Sequence, residues 1–185
     1  MWRVPTALET EPFRHLIIDD ACERPDDLLA IVDDEGVEPY EGDIFRFEAT
    51  TPESRGLHSI REQFAAELAP ALSRLTGRTV RRVDMRAYAY RPGHYLLPHT
   101  DHREGLERVL AYAYYLPTPE PPKGGELELF ACTLADDELT STISAKVIEP
   151  RANRLVIFEV GDTSLHQVRE VLAGMRLSLA GWFYA

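Results

Sequence analysis

Tyr90-Arg91-Pro92-Gly93-His94-Tyr95-Leu96-Leu97-Pro98-His99-Thr100-Asp101 is a turn followed by a short extended run that ends on an imidazole and a carboxylate two residues apart. The Arg-Pro-Gly step separates two β-type runs, residues 80–89 and 95–97. Side chains alternate along a strand, so His99 and Asp101 share a face. Two ligands on one face of a rigid strand can grip a single cation, and one further imidazole would complete the two-His, one-carboxylate set that leaves coordination positions open on iron(II). Ser164-Leu165-His166-Gln167-Val168 offers that imidazole. A His-x-Asp arises often by chance, and a lone His in an apolar strand is more often a hydrogen-bonded core residue, so the order and spacing of several parts must carry the reading.

The extended pattern continues downstream. Residues 108–116, 126–132, 143–148, 155–160, 165–168 and 175–184 all read as strands, with turn residues between them. About eight short strands with no helical pattern between them predict an antiparallel sandwich or a cupin-like jelly roll. Residues 117–125, with Pro117, Pro119, Pro121, Pro122, Gly124 and Gly125, read as a stiff connection.

Upstream the pattern is mixed. Residues 13–18 read as a strand, and Pro25-Asp26-Asp27 opens a helix running to about Val32, with proline in the first turn and acids at the positive end of the dipole. Residues 45–48 alternate like a strand, and 51–56 read as a polar loop in which no chemistry is visible. From residue 58 to 75, Ile60, Phe64, Leu68, Leu72 and Leu75 recur at helical spacing, Pro70 is a candidate kink and Gly77 a stop. That apolar stripe must be buried, most simply against a sheet, and reads as scaffold.

At 185 residues with 44% hydrophobic content the chain suits one well-cored domain. The expectation is a mainly β domain with flanking helices, residues 1–78 supporting a double-stranded β-helix (jelly-roll) catalytic core over 79–185. A net charge of −11 leaves no basic patch for nucleic acid or an anionic membrane surface. Cys22 and Cys132 are the only cysteines, too few for a disulfide framework, and the N-terminus lacks the apolar core of a signal peptide. A cytoplasmic setting is expected. No apolar run approaches the roughly 20 residues that span a bilayer.

Arg176 is the one cation in the apolar run to residue 185. Burying a guanidinium is costly unless an anion meets it. A structural ion pair with one of the many acids would satisfy it, and so would a small dicarboxylate, which the planar fork receives in bidentate fashion. Ser178, two residues on and on the same strand face, could add a hydroxyl donor.

Tyr90, His99-Thr100-Asp101, Arg108-Val109-Leu110-Ala111-Tyr112-Ala113-Tyr114-Tyr115-Leu116, Gly124-Gly125-Glu126-Leu127, His166 and Arg176 ten residues later together resemble the iron(II)- and 2-oxoglutarate-dependent dioxygenases, specifically their prolyl-hydroxylase-like branch. The resemblance spans about residues 80 to 185, and the strand and helix over 13–32 look like the usual lead-in. It implies that His99, Asp101 and His166 ligate iron(II) and that Arg176 holds the distal carboxylate of 2-oxoglutarate. Tyr90 and Tyr115 fall where the branch often places hydroxyls near the co-substrate. Small Val109, Ala111 and Ala113 share the strand face of Tyr115 and would leave a pocket there. It further implies O2 as co-substrate and ascorbate as a candidate reductant.

The charged residues His102, Arg103, Glu104 and Glu107 fall at the expected mouth of the site. A prolyl residue of a peptide or protein is the favoured substrate, lying along that rim; a free amino acid or small metabolite is the alternative. Two rivals remain, a non-catalytic metal-binding jelly roll and a cupin enzyme using its metal as a Lewis acid. Structural zinc prefers four closed protein ligands, whereas three ligands and an orphan arginine favour catalysis. Oligomeric state is not legible.

Overall fold

The computed structural model describes residues 1–136 and 138–185. The chain runs through β1 (His15–Ile18), α1 (Pro25–Glu35), a hairpin of β2 (Glu38–Gly42) and β3 (Phe45–Ala49), and the long helix α2 (Gly56–Thr76). Strands follow: β4 (Arg82–Val83), β5 (Arg86–Tyr90), β6 (Tyr95–His99), β7 (Arg108–Tyr115), β8 (Lys123–Gly124), β9 (Leu127–Ala135) and β10 (Glu138–Ile148). The chain closes with β11 (Leu155–Glu159), β12 (His166–Val168), β13 (Val171–Ala173) and β14 (Arg176–Tyr184).

Twelve of these strands form one antiparallel sheet in the order β1-β11-β7-β14-β5-β3-β6-β12-β9-β10, with β2 on β3 and β4 on β14; β8 and β13 pair separately. The sheet curls strongly into a double-stranded β-helix. Its two ends approach each other, because Lys146 of β10 donates to Glu9, whose backbone bridges His15 of β1.

Alternation along β7 sorts side chains between two cores. Leu110, Tyr112 and Tyr114 face the helical layer, while Ala111, Ala113 and Tyr115 face the barrel interior with Leu127, Leu129 and Phe158. Phe64 of α2 is fully buried and lies 4.8 Å from the Tyr112 ring and 5.4 Å from that of Phe183. The expected stripe of Ile60, Phe64, Leu68 and Leu72 is thus what covers the outer face of the sheet. Helix α2 runs continuously past Pro70 and stops at Gly77, whose left-handed φ of 72° lets its N–H donate to Ser73 O at 3.0 Å.

Several boundaries differ from the sequence expectation for physical reasons. Strand β2 carries no apolar alternation, holds Pro39 and is mostly exposed; it exists only because β3 offers an edge. The β9–β10 hairpin is longer on both arms, since Thr133, Thr140 and Ser141 extend a ladder that hydrophobicity does not mark. Lys123–Gly124 lay in the expected loop, yet they pair with 171–173, ahead of the turn at Gly174.

Candidate active site

Strands β6 and β12 lie side by side, and His99 and His166 are direct cross-strand partners in that pair. Their rings sit 4.3 Å apart at 55°. Asp101 follows β6 and places Oδ2 3.5 Å from His166 Nε2 and Oδ1 3.8 Å from His99 Nε2. One ligand atom from each of the three residues lies within 4.8 Å of the others. Each imidazole has its Nδ1 against a backbone carbonyl two residues back, His99 on Leu97 at 2.8 Å and His166 on Ser164 at 2.9 Å. Nδ1 therefore carries the proton in the neutral rings, and both Nε2 lone pairs point at the carboxylate.

Three electron-rich groups facing one another repel unless a cation joins them, so the donor set fits a metal ion. Burial and the neighbouring His99 imidazole hold His166 down at about 4, which keeps it unprotonated and able to ligate. Asp101 and His166 are almost fully buried.

Arg176 occupies the first position of β14, opposite Tyr90 of β5. It is only 4% exposed, yet among the described residues no carboxylate lies within ion-pair distance of it. The structural ion pair open to it in sequence is thereby excluded. Its guanidinium lies 4.8 Å from the Tyr90 ring and 5.0 Å from the Tyr115 ring, and Nη1 donates to Ser178 Oγ at 3.4 Å. Arg176 Nε and the Tyr115 hydroxyl are both buried without partners. Burial pushes the Tyr90 hydroxyl well up, so it stays a neutral hydrogen-bond donor. An unpaired buried guanidinium beside an unpartnered hydroxyl fits a carboxylate ligand.

Gly125 explains why a glycine pair precedes β9. Its φ is +71°, and a Cβ there would meet Val171 Cγ2 at 2.9 Å and Arg176 Cδ at 3.1 Å. The glycine leaves room for the arginine stem.

Metal position and arginine share one cavity of about 320 Å³, with mostly apolar walls that include Phe47, Leu96, Leu127 and Phe158. His99, Asp101, His166, Tyr90, Arg176 and Ser178 all line it; Tyr115 does not, and touches the site only through its ring, 5.0 Å from the Arg176 guanidinium. Ala111 and Ala113 line it as expected, whereas Val109 packs into the other core.

The mouth holds residues that sequence reading passed over. Arg108 donates to the Asp101 carbonyl at 3.1 Å and stacks 3.5 Å over the Trp182 ring; Arg108 Nε and Trp182 Nε1 are buried and unpartnered. Their signals were available, since Arg108 is the cation heading an apolar strand and Trp182 shares the face of Arg176 and Ser178. Ile44, Phe45 and Phe47 also line the cavity from the β2–β3 hairpin; alternation over 45–48 sets the two phenylalanines on one face but does not say that the face meets the site. Of the charged loop, Arg103 lines the cavity while His102 pairs with Asp162 at 3.4 Å.

A jelly roll with two imidazoles and a carboxylate at its mouth, and an unpaired arginine behind them, is the architecture of a mononuclear metal-dependent oxygenase. Residues 85–184 match the model of the 2OG-Fe(II) oxygenase superfamily, and the chain belongs to that superfamily. Membership implies iron(II), 2-oxoglutarate and O2 as metal and co-substrates. The chain is 30% identical over 192 residues to the prolyl 3-hydroxylase OGFOD1 of Mus musculus, and 31% identical over 142 residues to the prolyl 3-hydroxylase sudestada1 of Drosophila melanogaster. These alignments take in 96% and 72% of this chain but 34% and 26% of the relatives, so the chain spans about a third of their length or less. A prolyl-4-hydroxylase from Pseudomonas putida shares the fold with a TM-score of 0.69 at 22% identity, over 92% of this chain and 91% of that one.

Proposed function

We propose that this chain hydroxylates prolyl residues in a peptide or protein, with His99, Asp101 and His166 holding iron(II) and Arg176 holding the distal carboxylate of 2-oxoglutarate. Iron(II) bound there supplies the oxidising chemistry: O2 is split, one oxygen atom leaving in succinate as 2-oxoglutarate loses CO2, the other entering a substrate C–H bond as hydroxyl. The protein supplies geometry and a dry cavity. In this reading Arg176 and Ser178 take the carboxylate, and the Tyr90 ring lies 4.8 Å from the guanidinium. The backbone carbonyls of Leu97 and Ser164 orient the two imidazoles.

The observation that carries a peptide substrate is the Arg108–Trp182 pair, two buried donors left over at the mouth once the co-substrate clamp is accounted for. A backbone carbonyl next to the target proline satisfies both. Likeness to two prolyl 3-hydroxylases supports the same reading. Two free cysteines, Cys22 buried, suit a reducing, cytoplasmic setting. The test compares a panel of proline-containing peptides with a panel of free amino acids, reading substrate-stimulated succinate and a mass gain of one oxygen. Hydroxylation confined to free amino acids or metabolites would overturn the peptide substrate while leaving the iron and 2-oxoglutarate assignment standing.

A further inference from the structure

The strand that presents His166 is only three residues long, and its register decides whether an imidazole or an amide enters the cavity. On one side β12 meets β6 irregularly: His166 pairs with His99, but Val168 pairs with Leu96, a slip of one residue within the pair. On the other side the pairing with β9 is regular, His166 with Leu129, Gln167 with Glu128 and Val168 with Leu127. Side chains alternate, so a slip of one residue would turn His166 outward and bring Gln167 in. The irregular β6 contact cannot by itself prevent this.

Behind the metal position, on the outer face of β9, lies Glu128. Its side chain is buried, and Oε2 accepts from Gln167 Nε2 and from Arg169 Nε, both at 2.7 Å. Arg169 N also donates to Glu126 O at 3.0 Å, extending the β9 pairing beyond β12. Both donors come from the outward-facing positions of the segment carrying His166. A slipped register would strip the carboxylate of Gln167 and Arg169, leaving it only Ser144 of β10, and losing two donors from a buried carboxylate is costly.

We propose that Glu128 is a positioning residue that locks the register of β12 and so aims His166 at the metal. The inference rests on His166 being a metal ligand. It has a selective consequence, because Arg176 is carried by β14, which β12 does not touch in the sheet order. Loosening the lock impairs the metal and leaves the carboxylate clamp intact.

The experiment uses the full chain, stripped of metal and titrated anaerobically with iron(II), comparing wild type with Glu128→Ala, Glu128→Gln and Gln167→Ala. Binding of 2-oxoglutarate is measured separately at saturating metal, and thermal unfolding in chelator reports the fold. Glu128→Ala should weaken iron(II) binding by about 10- to 100-fold, the range for groups that orient a ligand. Glu128→Gln, which keeps one accepting oxygen, should fall between it and wild type, and 2-oxoglutarate affinity should be unchanged. Should Glu128→Ala fail to fold, Glu128→Gln and Gln167→Ala carry the comparison. Wild-type iron affinity in these variants, with only a lowered unfolding temperature, would overturn the lock and leave the metal site standing. A His166→Ala protein that binds iron(II) as tightly as wild type would overturn both.

Discussion

At the scale of single residues, each side chain at the site has its state set by one neighbour. His166 stays neutral because it is buried beside His99, and both imidazoles are turned by a carbonyl two residues back. Replacing His99, Asp101 or His166 by Ala should abolish O2-dependent succinate formation while circular dichroism and the unfolding transition stay close to wild type, since the main core is built elsewhere. Near-normal succinate formation in any one variant would remove that residue from the ligand set. Arg176→Lys should weaken 2-oxoglutarate binding by more than about tenfold, because an ammonium cannot reproduce two parallel hydrogen bonds, with iron affinity hardly changed. An unaltered Michaelis constant for 2-oxoglutarate would place the clamp elsewhere.

At the scale of elements, β14 does two jobs through alternation. Arg176, Ser178, Ala180 and Trp182 face the cavity, while Leu177, Leu179 and Phe183 pack beneath α2. Helix and site are therefore coupled through one strand. Phe64→Ala, which empties a fully buried aromatic position of α2, should cost about 3–5 kcal/mol in urea unfolding. A loss under about 1 kcal/mol would mean that the helix layer can collapse onto the gap. The helix stripe and the β14 alternation were legible because both periods are local. Strand β2 and the extended arms of β9 and β10 were not, since their residues pair by backbone alone.

At the scale of the whole molecule, several carboxylates of the acidic chain hold structural partners, among them Glu35, Glu67, Asp84 and Glu128. The hydrogen bond from Arg169, aided by those from Ser144 and Gln167, outweighs burial and holds the Glu128 carboxyl at about 2, below the ordinary 4.5. A folded value lower than the unfolded one stabilises above the unfolded value and is lost as pH falls to the folded one. The stability gap between wild type and Glu128→Gln should therefore narrow as pH falls from about 5 to about 2, by about 1 kcal/mol once solvent screening at the half-exposed Arg169 is allowed for. A gap independent of pH across that window, read by chemical denaturation, would show that the ion pair contributes nothing.

The sequence by itself determined the parts that depend on neighbours along the chain: an HxD at a strand end, a second imidazole, an arginine in an apolar run, and the helix stripe. Alternation at period two and recurrence at helical spacing are local rules, and they marked the strands and the helix stripe, while the ligand set was read from the order of motifs that resembles a known family. Only the tertiary structure decided that Arg176 has no carboxylate partner, that Arg108 and Trp182 stack at the mouth, and that Glu128 lies behind His166. Each of those facts joins side chains from different strands, 39 residues apart for Glu128 and Gln167. Their meeting depends on the curl and register of the sheet, which local periodicity does not encode.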